Sequence, residues 1–185
     1  MDSRTKHAVV VAIDAGFDEI EALYAKYRLE EAGYPVFVIG PKGQETYLGR
    51  HGYPCRTDLP FTEIQARLCD GIVIPGGWAP ARLRIDGKLK MLVGEFFRAG
   101  KLVATICHGG SVAISAEICR GLRMTGSPAI LDDLRNAGAL VEDASVVVDR
   151  NVITSRTTAD LPHFLPAILQ VLATGVAARE EQLTK

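Results

Sequence analysis

Cys107 is the residue best placed for chemistry: it ends the apolar run LVATIC, residues 102–107, and is followed at once by His108, Gly109 and Gly110. A cysteine on the last residue of a buried strand, with glycines allowing a sharp turn into a helix, is presented as a nucleophile. Unpaired amides at the start of that helix, and its dipole, favour the thiolate, which is the reactive form. The same residues admit a plainer reading in which Cys107 only packs, because free cysteine is among the most buried residue types.

Two other segments supply complementary chemistry. Pro75, Gly76 and Gly77 follow another apolar run, and their backbone N–H groups, together with the amide of His108, could hold an oxyanion. Glu21 falls about one turn into the first expected helix, from which its side chain can point back towards neighbouring strand ends. A carboxyl buried beside a thiol has a raised pKa and can shuttle protons. Taken singly, the glycines also suit an ordinary loop, and Asp18-Glu19-Ile20-Glu21 also suits a helix dipole. Trp78 fits either a pocket wall or a subunit contact, and Ser155, Arg156 and Thr157 fit either the mouth of a site or a helix cap. His51 and His163 lack partners at metal-ligand spacing and read as surface or packing residues, as do Cys55, Cys69 and Cys119 without elbow glycines.

These segments sit at the ends of a regular alternation. Residues 8–14 form a strand, Asp18 to Ala32 a helix closed by Gly33, and 36–40 a second strand. The stretch 41–70 is loop-rich, with an antiparallel hairpin around GRHGYP and a short helix near 61–68. The strand GIVI then stops at Pro75; a helix spans about 86–99, and a strand 102–107 leads into a helix opening at His108. LDDLRNAGA is a short helix ending at Gly138, SVVVDRNVIT a hairpin turning at 149–151, and DLPHFLPAILQVLA a closing helix. Pro162 suits its first turn, whereas Pro166 lies deeper and can bend it. Continuous apolar strands separated by helices imply a mainly parallel sheet covered on both faces, with sites at the carboxyl ends of its strands.

The 185 residues carry a net charge of −1, with 48% hydrophobic and 23% charged residues, which fits one folded domain, residues 1–185, with a core of about 7–173 and a frayed charged tail. Such a charge gives no footprint for nucleic acid, and no run approaches the ~20 apolar residues that span a bilayer. Without a signal-peptide pattern, and with four cysteines at neither metal nor disulfide-scaffold spacing, a cytoplasmic location with reduced thiols is expected.

The motifs IPGGWAP, ATICHGG, FDEIEA, GRHGYP, LDDLRNAGA and VVVDRNVITSRTTADLP occur in the order and approximate spacing of the ThiJ/PfpI family, within the class I glutamine-amidotransferase-like superfamily. The resemblance covers residues 7 to about 173 and is closest to the PfpI branch. It implies a flavodoxin-like three-layer α/β sandwich, a nucleophile at Cys107, a glutamate at Glu21 that contacts its sulfur, and oxyanion amides at Gly77 and His108. Gly76, Gly77, Trp78 and Asp18 fall on the oxyanion and substrate side. In PfpI-like proteins the histidine after the cysteine, here His108, is the second catalytic member of a proposed triad, and a neighbouring subunit adds a glutamate just after PGG; here Ala81 takes that glutamate's place, which puts peptidase activity in doubt unless Asp18 or Asp86 replaces it. The resemblance therefore implies a cofactor-independent glyoxalase- or deglycase-like enzyme acting on small carbonyl compounds, in a homo-oligomer, dimer or hexamer, that needs neither metal nor organic cofactor. A peptidase or amidase is the enzymatic alternative, and a cysteine-based oxidation sensor or chaperone the alternative of another class.

Overall fold

The computed structural model describes residues 6–174, and the charged tail lies outside them. In chain order the elements are β1 (Ala8–Ala12), α1 (Glu19–Glu31), β2 (Val36–Gly40), β3 (Thr46–Leu48), β4 (Pro54–Arg56), β5 (Leu59–Pro60), β6 (Cys69–Ile74), α2 (Pro80–Leu83), α3 (Gly87–Arg98), β7 (Leu102–Ile106), α4 (Gly110–Ser115), β8 (Arg123–Met124), α5 (Leu131–Asn136), β9 (Leu140–Val141), β10 (Val146–Asp149), β11 (Val152–Ser155) and α6 (Leu161–Thr174). Among the described residues the main sheet has seven strands in the order β10-β11-β7-β6-β1-β2-β5, all parallel except for the β10–β11 hairpin. The expected α/β sandwich with a mainly parallel sheet is the observed fold.

The apolar runs become its central strands because both of their faces are covered. β6 and β7 are buried at every position. Helices α1 and α6 pack against each other and on the sheet, while α3 and α4 pack together on β6 and β7. Phe17, Phe96 and Phe164 are the bulkiest fully buried side chains of the core between them. The order in which strands are added reverses at β1, since β2 lies on one side of it and β6, then β7, on the other. At such a switch point the loops leaving adjacent strands part and open a crevice at their carboxyl ends.

Local chemistry sets the helix ends. Asp18 caps α1, its side chain accepting from the amides of Ile20 and Glu21, and Gly33 at φ 83° closes it, its N–H donating to Glu30 while that of Tyr34 donates to Leu29. Some boundaries differ from expectation. The first strand stops at Ala12, the short helix near 61–68 is two 3₁₀ turns, and α6 continues as one helix through Pro166. The expected hairpin around GRHGYP forms as β3–β4, apart from the main sheet. The parallel β8–β9 pair, two residues in each strand, carried no periodic signal long enough to be read.

Candidate active site

Four adjacent parallel strands, β1, β6, β7 and β11, deliver the site from their carboxyl ends. Cys107 leaves β7 with a left-handed backbone, φ 58°, a conformation that L-residues other than Asn and Asp seldom adopt. The turn is held by a close crossing: a Cβ on Gly109 would lie 2.2 Å from the carbonyl oxygen of Ile74. The residue after the elbow must therefore be glycine, as the sequence signal required. Gly77 is likewise left-handed, φ 80°, and a Cβ there would meet the Gly16 carbonyl oxygen at 2.5 Å. These close approaches set the Gly77 and His108 amides beside the sulfur, where both favour its charged form.

Glu21 is 1% exposed and held at both oxygens. Oε2 accepts from the Gly76 amide at 2.6 Å, and Oε1 from the Thr158 hydroxyl at 3.0 Å. It faces the cysteine, for a Cβ on Gly76 would lie 2.8 Å from Glu21 Oε2 and 3.0 Å from Cys107 Sγ. Burial, and next the charge of Asp18, push the Glu21 carboxyl up to about 7; the Gly76 amide, the Thr158 hydroxyl and Arg50 oppose that rise. The same burial, and next the charge of Glu21, push the Cys107 thiol up to about 11.

That second shift corrects the sequence reading. A thiolate favoured by a helix N-terminus was expected, but Cys107 is followed by a 3₁₀ turn and then by α4, six residues long, so little dipole is aimed at the sulfur. Desolvation and the like charge of Glu21 outweigh the two amides. The pair therefore titrates jointly. When Glu21 holds its proton, the second of these obstacles to the thiolate disappears.

Cys107 Sγ lies 3.2 Å from His108 Nδ1, and no acid orients the other ring nitrogen among the described residues. Ala81 is exposed on α2. Neither acid proposed as its replacement stands at the histidine: Asp18 is spent on the cap of α1 and an ion pair with Arg50 at 3.4 Å, and Asp86 caps α3 through the amides of Lys88 and Leu89. Asp18 is 3% exposed and stands near Glu21 as a buried negative charge. Gly76 and Gly77 are buried at the centre of the site, while Trp78 is 67% exposed and packs its Cβ over Gly16.

The structure adds residues that the sequence reading missed. Thr158 was passed over for Ser155, Arg156 and Thr157, yet it is Thr158 that reaches Glu21, from 137 positions away. Ser155 turns inward to the Ser145 carbonyl, and Arg156 pairs with Asp160 and Asp143. Position was the available signal: Thr158 follows the strand beside β7. Arg50 was also missed, whereas His51, read as a surface or packing residue, is found at the surface beside Glu19. His51 Nδ1 meets Glu19 Oε2 at 3.1 Å, and the Arg50 amide donates to the Phe17 carbonyl, tying the hairpin loop to the start of α1. No group of three or more His, Cys, Asp or Glu residues disposed to hold a metal occurs among the described residues, and no helix there is long and apolar enough to cross a membrane.

Known proteins are similar to this chain over most of its length. A Pyrococcus horikoshii protein named deglycase PH1704 is 39% identical over 84% of this chain and 93% of its own. A Bacillus subtilis protein named putative cysteine protease YraA is 36% identical over 89% of this chain and 97% of its own. A solved two-domain protein from Anabaena variabilis, with DJ-1/ThiJ/PfpI-like and ferritin-like domains, superposes with a TM-score of 0.88 at 39% identity; 90% of this chain is covered and 48% of that longer one. The model of the DJ-1/PfpI family matches residues 7–171, and with those relatives it establishes that the chain belongs to the DJ-1/PfpI family.

Proposed function

We propose that this protein is a cysteine-dependent enzyme acting on small reactive carbonyl compounds, of the glyoxalase or deglycase type, with Cys107 as nucleophile and Glu21 as proton shuttle. What carries the reading is one juxtaposition: a sulfur flanked by the Gly77 and His108 amides lies near a carboxyl pushed up to about 7, with no acid behind the neighbouring histidine among the described residues. The deglycase name of the Pyrococcus relative supports it.

With methylglyoxal, Cys107 Sγ adds to the aldehyde carbon; the carbon–oxygen π bond opens and the thiol proton passes to that oxygen, giving a hemithioacetal. Glu21 as carboxylate then removes the proton on the former aldehyde carbon, leaving an enediolate; the remaining hydroxyl proton passes to the neighbouring oxygen, Glu21 as acid delivers its proton to the carbon that bears that oxygen, and the former aldehyde carbon becomes the carbonyl of a lactoyl thioester. The aldehyde carbon is thereby oxidised to an acyl level and the ketone carbon reduced to a carbinol, so no outside redox partner is needed. Water cleaves the lactoyl thioester and frees the thiol. A base near pH 7 suits both directions of proton transfer, because it is neither fully protonated nor reluctant to give a proton back. The Gly77 and His108 amides stabilise the oxygen charge that develops when sulfur adds and when water attacks.

A peptidase or amidase is the second reading, favoured by the 3.2 Å contact of Cys107 Sγ with His108 Nδ1 and by the name of the Bacillus relative. It is weakened where amide hydrolysis is most demanding: the amine leaving group needs a well-oriented proton donor, and His108 has no acid to fix its ring. The deciding experiment is incubation with methylglyoxal, without glutathione, of the wild type and Cys107→Ser. Catalytic lactate from the wild type alone supports the carbonyl reading. Stoichiometric loss of dicarbonyl, or none, sinks it and makes an amidase substrate screen the next step. We further propose that the site works within a homo-oligomer, which sedimentation of the purified protein tests.

A further inference from the structure

Glu21 owes its orientation to a residue that the proposed chemistry does not use. The Gly76 amide holds Oε2, next to the backbone that also flanks Cys107 Sγ, and this bond alone would leave the plane of the carboxyl free to turn about its last bond. Oε1 is held by Thr158 Oγ1 at 3.0 Å. Thr158 is half-buried in the turn after β11, and that turn is braced from below: Arg156 Nε and Nη2 each donate to a different oxygen of Asp160 at 3.0 Å, while Nη1 donates to Asp143 at 2.6 Å. A bidentate guanidinium pair of this kind fixes the backbone on either side of it. The hydroxyl thus projects from a rigid turn.

We propose that Thr158 is a positioning residue for Glu21, fixing the plane of its carboxyl beside Cys107 through the bond to Oε1. The proposal rests on the reading of Glu21 as proton shuttle and deepens it. A hydroxyl donating to a carboxylate stabilises the charged form, so Thr158 works against burial, which drives the carboxyl the other way. The other groups facing Glu21 are Asp18 at the start of α1, Arg50 from the hairpin loop, Cys107 from β7 and the Gly76 amide from β6. Among these, the Thr158 hydroxyl is the contact that one substitution removes without changing charge or the elbow.

The test is alkylation of Cys107 by iodoacetamide as a function of pH, followed by intact mass. Below the pH at which Glu21 titrates, the thiol ionises beside a neutral carboxyl; above it, a negative neighbour opposes the thiolate. The wild-type curve therefore has a break near pH 7 before its final rise towards about 11. Thr158→Val should move that break upward by about half to one pH unit. Thr158→Ser, which keeps the hydroxyl, should restore it, and Glu21→Gln should abolish it. With methylglyoxal, Thr158→Val should lower kcat about tenfold with little change in KM, because a mispointed carboxyl impairs proton transfer rather than binding. If the valine protein fails to keep the wild-type melting temperature, Thr158→Ala replaces it. A break unmoved in the folded variant overturns the proposal, as does a wild-type curve with no break. If no protein turns over methylglyoxal while the breaks still move as stated, the carbonyl reading has failed and the positioning role stands.

Discussion

The same three strands carry a cysteine, a histidine and an acid at each of their two ends, and only one end carries the groups on which the proposed chemistry rests. At the amino ends of β1, β6 and β7 lie His7, Cys69 with Asp70, and Lys101. His7 Nδ1 meets Asp70 Oδ1 at 3.3 Å and Lys101 Nζ lies 3.7 Å from the same oxygen. At the carboxyl ends lie Glu21, Gly76 with Gly77, and Cys107 with His108. By residue type the amino end is the richer constellation. Its cysteine, however, sits in ordinary strand conformation, paired with Ala8, and its acid is turned to its own neighbours. Cys107 instead leaves its strand with φ 58°, and two amides and a carboxyl close on it. Strand direction explains the contrast: chain leaving a parallel sheet at the carboxyl ends enters loops whose free N–H groups point back at the crevice.

The sharpest way to break this comparison is to remove each sulfur. Cys107→Ser should lower methylglyoxal turnover by about a thousandfold or more, whereas Cys69→Ser should leave it within about twofold. Equal losses, read as lactate formed per minute, would mean that both ends matter. Next in size is the steric test. A Cβ on Gly76 would meet Cys107 Cβ at 2.7 Å and Glu21 Oε2 at 2.8 Å, so Gly76→Ala should lower turnover about a hundredfold and destabilise by roughly 1–3 kcal/mol in denaturant titration. Gly87→Ala, where a Cβ meets nothing within 4 Å, should change stability by under about 0.5 kcal/mol.

Stability against pH separates the two acids. Glu21 is raised from 4.5 to about 7, so between those values the unfolded chain has lost a proton that the folded one keeps. Its contribution to stability therefore falls as pH rises through that window and stays unfavourable above it. Glu21→Gln should be more stable than wild type at pH 8, by on the order of 2 kcal/mol, and show no such gain at pH 4. Asp70→Asn, which weakens the acceptor for the His7 amide and Lys101, should instead lower stability at pH 8 by about 1 kcal/mol. Thermal melts at the two pH values suffice; a gain for both variants would erase the distinction. The smallest expected difference is in labelling: in native protein Cys107, half-buried, should alkylate several-fold faster than Cys69, which is 6% exposed. Cys119, 1% exposed and pushed up to about 12 by burial alone, should label only on unfolding.

Much of this was legible in the residues because the signals were local. Apolar runs, and Gly33 and Gly138 at helix ends, need only a few neighbouring residues to act, and they located the alternating strands and helices. The elbow was equally local, since Cys107-His-Gly-Gly describes its own turn. Glu21 was reachable by counting one turn from the start of the first helix. What escaped were quantities set by groups distant in sequence. Thr158 meets Glu21 across 137 positions, and Arg50 reaches Asp18 across the hairpin. The ionisation of Cys107 also escaped, because local reasoning saw a helix N-terminus and could not weigh the desolvation and the Glu21 charge against it. Sequence by itself determined which residues turn, cap and alternate, since backbone geometry answers to adjacent side chains. Only the tertiary structure decided which side chains share a buried space, and burial together with nearby charge decides where a proton resides.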